Sequence, residues 1–510
     1  MLASVLSYGL QGIEGYPMQV EVDCREGGMP SFETVGLPGA AVKESRERVR
    51  SALLNSGLRF PYGPTTVNLA PADVRKEGPR YDLPIALGLL AASKQLPPEA
   101  LRGLLVLGEL SLDGRLRPIT GVLPMLIRAR ADGVTRALLP LENAGEAACL
   151  EGMQAYGAES IGQAVAFLRG EAIIEPVPVQ DYEHLLRQTP ASVDLAQVRG
   201  QYAAKRALEI AASGGHNLLL IGPPGSGKTL LARCLPGILP AMGFEEALET
   251  TRIHSAAGSR EGLVTQRPFR APHHTASAAA LVGGGRDAMP GEISKAHNGV
   301  LFLDELPEFP RTVLEALRQP MEDGVVRVAR VGAQCEYPAR FSLVCAMNPC
   351  PCGNYGSRVK ACRCTPLAIE RYLSRVSGPL LDRIDLIVEM DFVPAEEALR
   401  QRAPGESSAE VRRRVERARA LAAERYRGTG IYANAHLSGA QLEEHCAMDE
   451  EGRRFLQAAM GRMKLSMRAY TRVLKLARTL ADMEGEKKIG AGHVAEALSY
   501  RGTGDKYWKG

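Results

Sequence analysis

The chain has 510 residues, of which 45% are hydrophobic and 24% charged, and its formal net charge is +4. The length exceeds one ordinary domain, and the composition excludes a disordered or fibrous protein. No apolar run approaches the ~20 residues of a membrane helix, so we expect no membrane partner. The small net charge confines any nucleic-acid surface to a local cluster. The modest cysteine content and the lack of a signal-peptide pattern predict a cytoplasmic protein.

Residues 1–170 form the first predicted unit, and their apolar pattern indicates an α/β domain. Alternation of apolar and polar residues predicts strands, and apolar residues three to four apart predict helices. Asp82 is the expected N-cap of the second helix. The predicted strands span residues 18–24, 65–70 and 104–110, and the predicted helices span 40–55 and 82–92.

Two stretches of this unit resemble the proteolytic domain of the Lon family. One is GPRYDL at residues 78–83, and the other is GELSLDGR at 108–115, followed by PITGV. Lon peptidases use a serine–lysine dyad, but Arg80 stands at the serine position and Leu123 lies where the lysine is expected. The resemblance implies a Lon-like α/β fold without peptidase activity. A generic α/β domain is the alternative.

A linker is predicted at residues 171–192, because Pro176, Pro178 and Pro190 interrupt both the helical and the strand pattern there. The second predicted unit runs from 193 to 395. It begins with a helical pattern that leads into a short apolar strand.

A glycine-rich loop after that strand predicts a phosphate-binding site. Strand, loop and helix in this order are the context that such a site requires. Glycines let the backbone wrap around an anion, Lys228 can reach the β- and γ-phosphates, and the Thr229 hydroxyl can ligate Mg²⁺. A chance glycine-rich turn is the alternative. The predicted ATP-binding residues of the loop are Gly222, Pro223, Pro224, Gly225, Ser226, Gly227, Lys228, Thr229 and Leu230.

Two further apolar strands end in polar residues that would complete a site for ATP hydrolysis. Residues 300–303 run into Asp304 and Glu305, and residues 341–347 end at Asn348. Asp304 can hold Mg²⁺ through water, and Glu305 can orient and deprotonate the attacking water. The Asn348 amide can bridge that water and the γ-phosphate. An acidic turn and a turn asparagine are the alternatives.

Two arginines are predicted to act on the γ-phosphate. Arg383 lies at the distance where ring-forming ATPases place an arginine finger, and a guanidinium suits the charge of a transferring phosphoryl group. Pairing with Asp382 or Asp385 is the competing interpretation. Arg468 lies in the stretch SMRAY at residues 466–470, which resembles the sensor-2 segment of chelatase-like families. The resemblance implies contact with the γ-phosphate, and a surface arginine is the alternative.

Two insertions carry basic residues that we expect to follow a phosphate backbone. Residues 252–298 are too long and too rich in glycine, histidine and arginine for a simple connection. Residues 325–331 alternate, and Gly332 then turns the chain into a predicted hairpin. In related helicases, hairpins at these places line the central channel; solvated loops or subunit contacts are the alternative. The predicted DNA-binding residues are Arg267, Arg270, His273, His274, Arg327 and Arg330.

Four of the ten cysteines lie within fifteen residues, as two Cys-x-Cys pairs. Four thiolates can hold one tetrahedral Zn²⁺, which would stiffen a loop with little core of its own. Free thiols or a redox pair are the alternatives. The predicted zinc ligands are Cys350, Cys352, Cys362 and Cys364, and the predicted DNA contacts at the loop tip are Arg358 and Lys360.

The third predicted unit, residues 396–510, is a helical lid. Helices are predicted at residues 408–426, 466–480 and 493–501. The basic tail, residues 502–510, is expected to be flexible.

The phosphate loop, the two strands and Arg383 together indicate an AAA+ module. Several stretches resemble the ComM (YifB) family, which is related to the ATPase subunit of magnesium chelatase. They include RPFRAPHHT at 267–275, PGEIS at 290–294 and DELPEF at 304–309. The resemblance implies an α/β multidomain chain with a Lon-like front domain, an AAA+ P-loop core and a C-terminal helical lid.

The same resemblance implies a homo-hexameric ring ATPase that uses ATP and Mg²⁺ and acts on single-stranded and branched DNA, with recombination proteins as further partners. In this family the activity is branch migration in homologous recombination during natural transformation. The alternative is a chelatase-type ATPase that remodels a protein partner. A Lon-like peptidase is disfavoured by Arg80 and Leu123.

Overall fold

The fold is described from a computed structural model of the chain. It describes residues 1–25, 27–188, 193–285, 288–330, 333–357, 359–392, 405–463 and 465–508, with all their side chains except those of residues 330, 333, 334 and 505. Arg358 and the predicted boundary between the second and third units lie outside these residues. Across these ranges, no helix combines the length and the apolar surface that crossing a membrane requires.

The N-terminal unit is a mixed seven-stranded sheet with helices packed on it. Its strands are β1 (Leu2–Gln11), β2 (Glu14–Cys24), β3 (Phe32–Val35), β4 (Thr65–Ala70), β5 (Leu104–Val106), β8 (Arg136–Pro140) and β9 (Gln154–Ala158), and a separate small hairpin joins β6 (Glu109–Leu110) to β7 (Leu116–Arg117). The strand order is β3-β4-β2-β1-β5-β8-β9. Alternation decides which face is buried, since Val20 and Val22 of β2 are fully buried while Gln19 is exposed.

The helices of this unit pack on both faces of the sheet, since the neighbouring residues Leu104 and Leu105 of β5 belong to different apolar clusters. They are α1 (Ala40–Lys43), α2 (Ser45–Asn55), α3 (Asp82–Ala92), α4 (Val122–Ala131), α5 (Ala144–Ala147) and α6 (Ile161–Leu168), with 3-10 turns at Pro98–Leu101 and Leu141–Asn143. Every residue of α3 is buried, as its apolar sequence requires.

The predicted helix at 40–55 is wrong in one respect, because it is broken at Glu44. The Ser45 hydroxyl donates to the Val42 carbonyl at 2.6 Å, within the break. Serine hydroxyls compete with the backbone for such carbonyls, which weakens a helix at that point. The chain therefore forms α1 and α2 instead of one helix.

The predicted strand at 104–110 and the predicted role of Asp82 also need correction. The strand stops at Val106, and Gly108 turns away to bond with the backbone of Arg80 and Leu83. Asp82 is not the N-cap, because the cap is Tyr81. The Asp82 carboxylate instead accepts two hydrogen bonds from Arg48, at 2.7 and 2.9 Å. Burial raises the pKa of Asp82 to about 6, against the opposing effect of Arg48.

The central unit is built on a five-stranded parallel sheet in the order β11-β14-β17-β10-β18. Its strands are β10 (Leu218–Ile221), β11 (Phe269–Arg270), β14 (Val300–Leu303), β17 (Ser342–Met347) and β18 (Leu386–Glu389). Two small hairpins lie outside the sheet: β12 (Gly283–Gly284) with β13 (Met289–Pro290), and β15 (Val325–Arg330) with β16 (Ala333–Pro338). The short strands are almost wholly apolar because both faces of the sheet are covered.

Short helices flank this sheet and connect its strands. They are α8 (Tyr202–Gly214), α9 (Lys228–Arg233), α10 (Leu235–Ile238), α11 (Phe244–Ala256), α12 (Ala278–Val282), α13 (Glu292–Lys295), α14 (Arg311–Ala316), α15 (Arg318–Asp323), α16 (Pro366–Leu373) and α17 (Gly378–Leu381). Helix α7 (Tyr182–Gln188) precedes them, inside the segment predicted as a linker. Further 3-10 turns lie at Leu195–Gln197 and Leu306–Glu308.

The C-terminal unit is helical, as predicted. It contains α18 (Ser408–Arg425), α19 (Ala440–His445), α20 (Glu450–Met463), α21 (Met467–Glu484) and α22 (Ala491–Tyr507), with a 3-10 turn at Asn434–His436. The prediction of a flexible tail is wrong for residues 502–508. Helix α22 continues to Tyr507, and the Trp508 indole donates to the Leu373 carbonyl at 3.1 Å, because its aromatic end packs against the central unit.

The N-terminal and central units share a buried contact near the segment where a Lon lysine is expected. The Glu146 carboxylate accepts hydrogen bonds from the Ser255 hydroxyl and, at 3.1 Å, from the Leu123 backbone N–H. The Gly121 N–H donates to the Ser255 carbonyl at 3.1 Å. Burial raises the pKa of Glu146. This segment therefore serves as a domain interface.

Candidate ATP site and arginine face

The phosphate loop leaves the carboxyl end of β10 and runs into α9. Gly225 and Gly227 have φ values of 79° and 89°, in the left-handed region that glycine tolerates best. A Cβ atom on Gly222 would lie 2.5 Å from the Met390 carbonyl oxygen, so no side chain fits there. The path of the loop therefore depends on these three glycines.

The Lys228 ammonium lies inside this loop. It donates to the carbonyls of Gly222 at 2.7 Å and Pro223 at 2.9 Å, and to Asn348 Oδ1 at 3.2 Å. Burial lowers the pKa of Lys228, while the nearby carboxylates Asp304 and Glu305 act to raise it. The structure thus brings Lys228 and Asn348 together at the carboxyl ends of β10 and β17.

Thr229 and Asp304 form an oxygen pair beside the lysine. The Thr229 hydroxyl donates to Asp304 Oδ2 at 2.7 Å. Mg²⁺ in nucleotide sites is held by one or two protein oxygens together with water and phosphate. The pair therefore fits a hydrated Mg²⁺.

Glu305 follows β14 directly and adopts a left-handed backbone, with φ 51°. Its side chain is 56% exposed, and one carboxylate oxygen lies 3.3 Å from His274 Nδ1. His274 also packs on His273, with ring centroids 4.1 Å apart. His274 was predicted to contact DNA, but it lies beside Glu305 at the candidate ATP site, because the chain after β11 passes the carboxyl end of β14.

Sequence reasoning missed one residue that holds the loop. The Gln201 amide, just before α8, donates to the Ser226 carbonyl at 3.2 Å and to the Asp391 carbonyl at 2.6 Å. It ties the phosphate loop to the end of β18. No local pattern marks this glutamine, because its partners lie 25 and 190 residues away.

Arg383 lies at the amino ends of the strands of the same sheet, opposite to the phosphate loop at their carboxyl ends. Its carbonyl accepts from the Asn217 amide at 2.8 Å, and Asn217 directly precedes β10. Its guanidinium donates to the Pro379 carbonyl at 2.6 Å and pairs with Glu322. The competing pairing with Asp382 or Asp385 is therefore not what holds the Arg383 side chain. Since β10 has four residues, about 13 Å of strand separates its amino end, near Arg383, from the phosphate loop at its carboxyl end.

Arg468 lies close to the Arg383 segment and not to the phosphate loop. Its guanidinium is 79% exposed and lies 3.5 Å from Asp382. One turn later in α21, Arg472 donates to the carbonyls of Leu381 at 3.1 Å and Ile384 at 3.0 Å, and pairs with Asp382 at 3.0 Å. Helix α21 of the lid is therefore hydrogen-bonded to the segment that carries Arg383. We call the surface formed by Arg383 and Arg468 the arginine face.

The basic residues of the first insertion are not equally available to a ligand. Arg267 was predicted to contact DNA, but its guanidinium donates to two backbone carbonyls, of Pro240 at 2.6 Å and Asn298 at 2.7 Å, and pairs with Glu246. It is a structural residue, because those contacts bury it to 14% exposure. Arg270 pairs with Glu292 at 2.6 Å. The exposed His273 ring contacts the Thr275 hydroxyl at 2.8 Å.

The second insertion forms the predicted hairpin, β15–β16. Val326 and Val328 are buried on one face, while Arg327 is 46% exposed on the other and pairs with Glu336 at 2.9 Å and Asp323 at 3.3 Å. The Arg330 side chain lies outside the described part of the chain. Lys360, in the cysteine loop, is exposed.

The four clustered cysteines converge on one point. Their sulfur atoms all lie within 4.8 Å of one another, and the Cys350–Cys352 separation is 3.4 Å. The sulfur of Cys362 lies 3.6 Å from each of these two. A tetrahedral zinc site with Zn–S bonds of about 2.3 Å has S–S edges of about 3.8 Å. The donor set, completed by Cys364, therefore fits zinc.

The local backbone favours the thiolate of Cys352, and the cysteine loop packs against the phosphate loop. N–H groups of Arg363 and Asn354 lower the pKa of Cys352 to about 6. A Cβ atom on Gly353 would lie 2.5 Å from Pro224 Cδ, so the cysteine loop packs directly against the phosphate loop. On its other side, Tyr355 packs against Tyr507 of α22, with ring centroids 6.3 Å apart.

Three family models match successive parts of the chain. "Subunit ChlI of Mg-chelatase" matches residues 20–143, "Magnesium chelatase, subunit ChlI" matches residues 194–398, and "Magnesium chelatase, subunit ChlI C-terminal" matches residues 405–501. The N-terminal region is also weakly similar to a Lon protease of Heliobacterium modesticaldum, with 27% identity over 165 residues, which are 30% of this chain and 20% of that protein.

Two relatives are similar over nearly the full length. The chain is 44% identical over 508 residues to the competence protein ComM of Haemophilus influenzae, covering 98% of this chain and 97% of that protein. It is 45% identical over 502 residues to the uncharacterized protein YifB of Salmonella typhimurium, again covering 98% and 97%. The fold, the phosphate loop and these similarities agree, and the chain belongs to the ComM/YifB family of magnesium-chelatase-like AAA+ ATPases.

Proposed function

We propose that this chain is a ring-forming ATPase that drives branch migration of DNA during homologous recombination. The proposal rests on the combination of a candidate ATP site at the carboxyl ends of the parallel strands with a hairpin that exposes Arg327, between the strands that lead to Glu305 and Asn348. Arg327 would exchange its present partners, Glu336 and Asp323, for a phosphate backbone, and the strands on either side of the hairpin end at the candidate ATP site. The competence protein among the relatives supports a role in natural transformation.

The proposed chemistry follows from the residues at the carboxyl edge of the sheet. Lys228 binds the β- and γ-phosphates in place of the backbone carbonyls that it contacts here. Thr229 and Asp304 would hold a hydrated Mg²⁺, and the ion would neutralise phosphate charge. Glu305 leaves His274 and takes the proton of the attacking water, and Asn348 orients that water.

The arginine face supports the proposal that the active species is an assembly of several copies. Arg383 cannot reach the phosphate loop of its own chain, because β10 lies between them. In a closed head-to-tail ring, the same face meets the loop of the next subunit. Arg468, which lies beside Asp382, is placed with Arg383 and is therefore proposed to act on the neighbour as well. A homo-hexamer is the assembly that the family resemblance implies.

The cysteine loop is proposed to bind one zinc ion. Its four thiols have the separations that a tetrahedral site needs. Zinc would fix the loop against Pro224 and present Lys360 at the exposed tip. This use of the metal is structural, since four cysteine ligands leave no open position.

The function is tested with purified protein, ATP and a labelled four-way DNA junction, read as strand displacement on a gel. ATP turnover is measured in parallel with and without single-stranded and junction DNA across a salt series. We expect DNA to stimulate turnover and the stimulation to fall steeply with salt, because each neutralised phosphate releases counterions. Turnover that is independent of DNA at every salt concentration, from an assembled ring, would contradict the proposal.

A second candidate is a chelatase-type ATPase that remodels a protein partner. It is favoured by the three magnesium-chelatase family models, which together match most of the chain. It predicts no stimulation by DNA and a requirement for a partner protein. A peptidase is not proposed, because Arg80 carries a guanidinium in place of a serine hydroxyl and Leu123 an aliphatic side chain in place of a lysine amine, so neither position offers a nucleophile or a base.

A further inference from the structure

The β15–β16 hairpin depends on its surroundings for its position. Within the described residues it pairs with no strand outside itself. An isolated two-stranded hairpin is marginally stable in water, so the packing of its apolar face decides where it sits. That face carries Val326, Val328, Cys335 and Tyr337, each no more than 7% exposed.

A turn of the N-terminal unit supplies part of this packing. Gly12 and Ile13 join β1 to β2, and Ile13 is 5% exposed, in the same apolar cluster as the four hairpin residues. Gly12 has a φ of 63°, and a Cβ atom there would lie 3.2 Å from Cys335 Cβ and 3.4 Å from the Tyr337 hydroxyl oxygen. The backbone of the turn therefore lies directly against β16.

Both partners in this contact are also fixed to the central unit. Arg252 of α11 donates from Nη2 to the Ile13 carbonyl at 3.3 Å and to the Glu14 carboxylate at 2.7 Å. The Tyr337 hydroxyl donates to the Ala288 carbonyl. These hydrogen bonds therefore fix the position of the turn relative to the hairpin.

We infer that the turn formed by Gly12 and Ile13 positions the β15–β16 hairpin, so that the N-terminal unit sets how the hairpin meets DNA. Arg327 lies on the opposite face of the hairpin and moves with it. The inference rests on the proposed function for the identity of the ligand, but not for the contact itself. Positioning the hairpin is a structural role for the Lon-like domain, and this role does not require a catalytic dyad.

The contact is tested first by cross-linking in the full-length protein. In Gly12→Cys, the introduced thiol faces the native Cys335, and diamide accepts the two electrons and two protons released when the disulfide forms. We expect an intrachain disulfide between these positions, mapped by peptide mass spectrometry and absent from wild type. An introduced thiol that stays reduced and reactive toward a maleimide after diamide treatment would overturn the inference.

The consequence is tested with Ile13→Ala. Hydrogen–deuterium exchange in β15 and β16 should speed up by about tenfold or more, as expected when a large buried apolar side chain is truncated. DNA-stimulated ATP turnover should fall several-fold, while basal turnover stays at the wild-type rate, because the contacts described for the turn, with Cys335, Tyr337 and Arg252, include no residue of the candidate ATP site.

The matched control is Ile161→Ala, since Ile161 is fully buried in the N-terminal unit but lies in a cluster without hairpin residues. We expect unchanged hairpin exchange in this variant. Equal acceleration in both variants, or none in Ile13→Ala, would refute the positioning role. If wild type shows no DNA stimulation while the exchange results hold, the DNA function fails and the positioning contact stands.

Discussion

Removal of the Arg383 guanidinium tests the assembly most directly. Arg383→Ala should lower ATP turnover by roughly 10³–10⁵-fold, the range found for other arginine fingers, which corresponds to about 4–7 kcal/mol of transition-state stabilisation. Nucleotide binding should survive, because Lys228 and Thr229 lie at the other end of β10. A surface control is Arg454→Ala, since Arg454 is 76% exposed and contacts only Glu450 on its own helix among the described ion pairs.

The same geometry predicts how two inactive variants behave when mixed. Lys228→Ala lacks the loop function but keeps its finger, and Arg383→Ala keeps its loop. In randomly mixed rings at equal amounts, about one quarter of the interfaces join an intact loop to an intact finger, so about a quarter of wild-type turnover should return. Each interface also has to function independently for this figure to hold.

The assay is steady-state phosphate release from subunits mixed and reassembled with ATP, with mixed assembly verified by native mass spectrometry of differently tagged chains. Either variant alone should stay inactive. If verified mixed rings show no more ATP turnover than the two variants measured separately and added together, action in trans is refuted. Turnover near wild type for Arg383→Ala alone would refute the finger itself.

Lys228→Ala should abolish nucleotide binding or turnover, whereas Glu305→Gln should bind a fluorescent ATP analogue without hydrolysing ATP; wild-type turnover by Glu305→Gln would contradict the role of that carboxylate. The protein purified without added zinc should contain one zinc per chain, since four thiolates contribute on the order of 10 kcal/mol to local folding when metal-bound. Elemental analysis near zero together with four freely titrating thiols would reject the site. Reversing the charge of Arg327 and Arg330 together should reduce DNA-stimulated turnover much more than basal turnover, measured in the same coupled assay. Arg454→Glu is the matched charge control, and equal losses in both would count against a hairpin contact with DNA.

The sequence predicts well those features that depend on neighbours along the chain. The sequence of a strand followed by the glycine-rich loop largely determines where the Lys228 ammonium lies, because the carbonyls of that loop surround it. The apolar runs before Asp304 and Asn348 predict strands. Parallel pairing of these strands then brings their carboxyl ends to the same side of the sheet. Cysteine spacing likewise predicts the convergence of four thiols.

Contacts between distant parts of the chain were not predictable in this way. Asp82 has the residue type of an N-cap, but its partner Arg48 lies 34 positions earlier and draws the carboxylate elsewhere. His274 looks like one of several basic loop residues until the fold brings it to Glu305. The tail also looks like a solvated segment until Trp508 meets Leu373, 135 residues away. In each case a tertiary partner outweighs the local preference.

The central strand β10 has a mechanical consequence for a ring. One end carries the phosphate loop, and at the other end Asn217 holds both the Arg383 carbonyl, at 2.8 Å, and the Leu343 N–H, at 2.9 Å. A hydrogen-bonded strand within a sheet does not stretch, so backbone geometry sets the distance between the phosphate loop of a subunit and its proposed arginine finger, Arg383. In the proposed ring, each protomer would act as a rigid spacer between two nucleotide sites. Successive sites would then differ through rotation of whole subunits, or through movement of the lid helix that contacts the Arg383 segment.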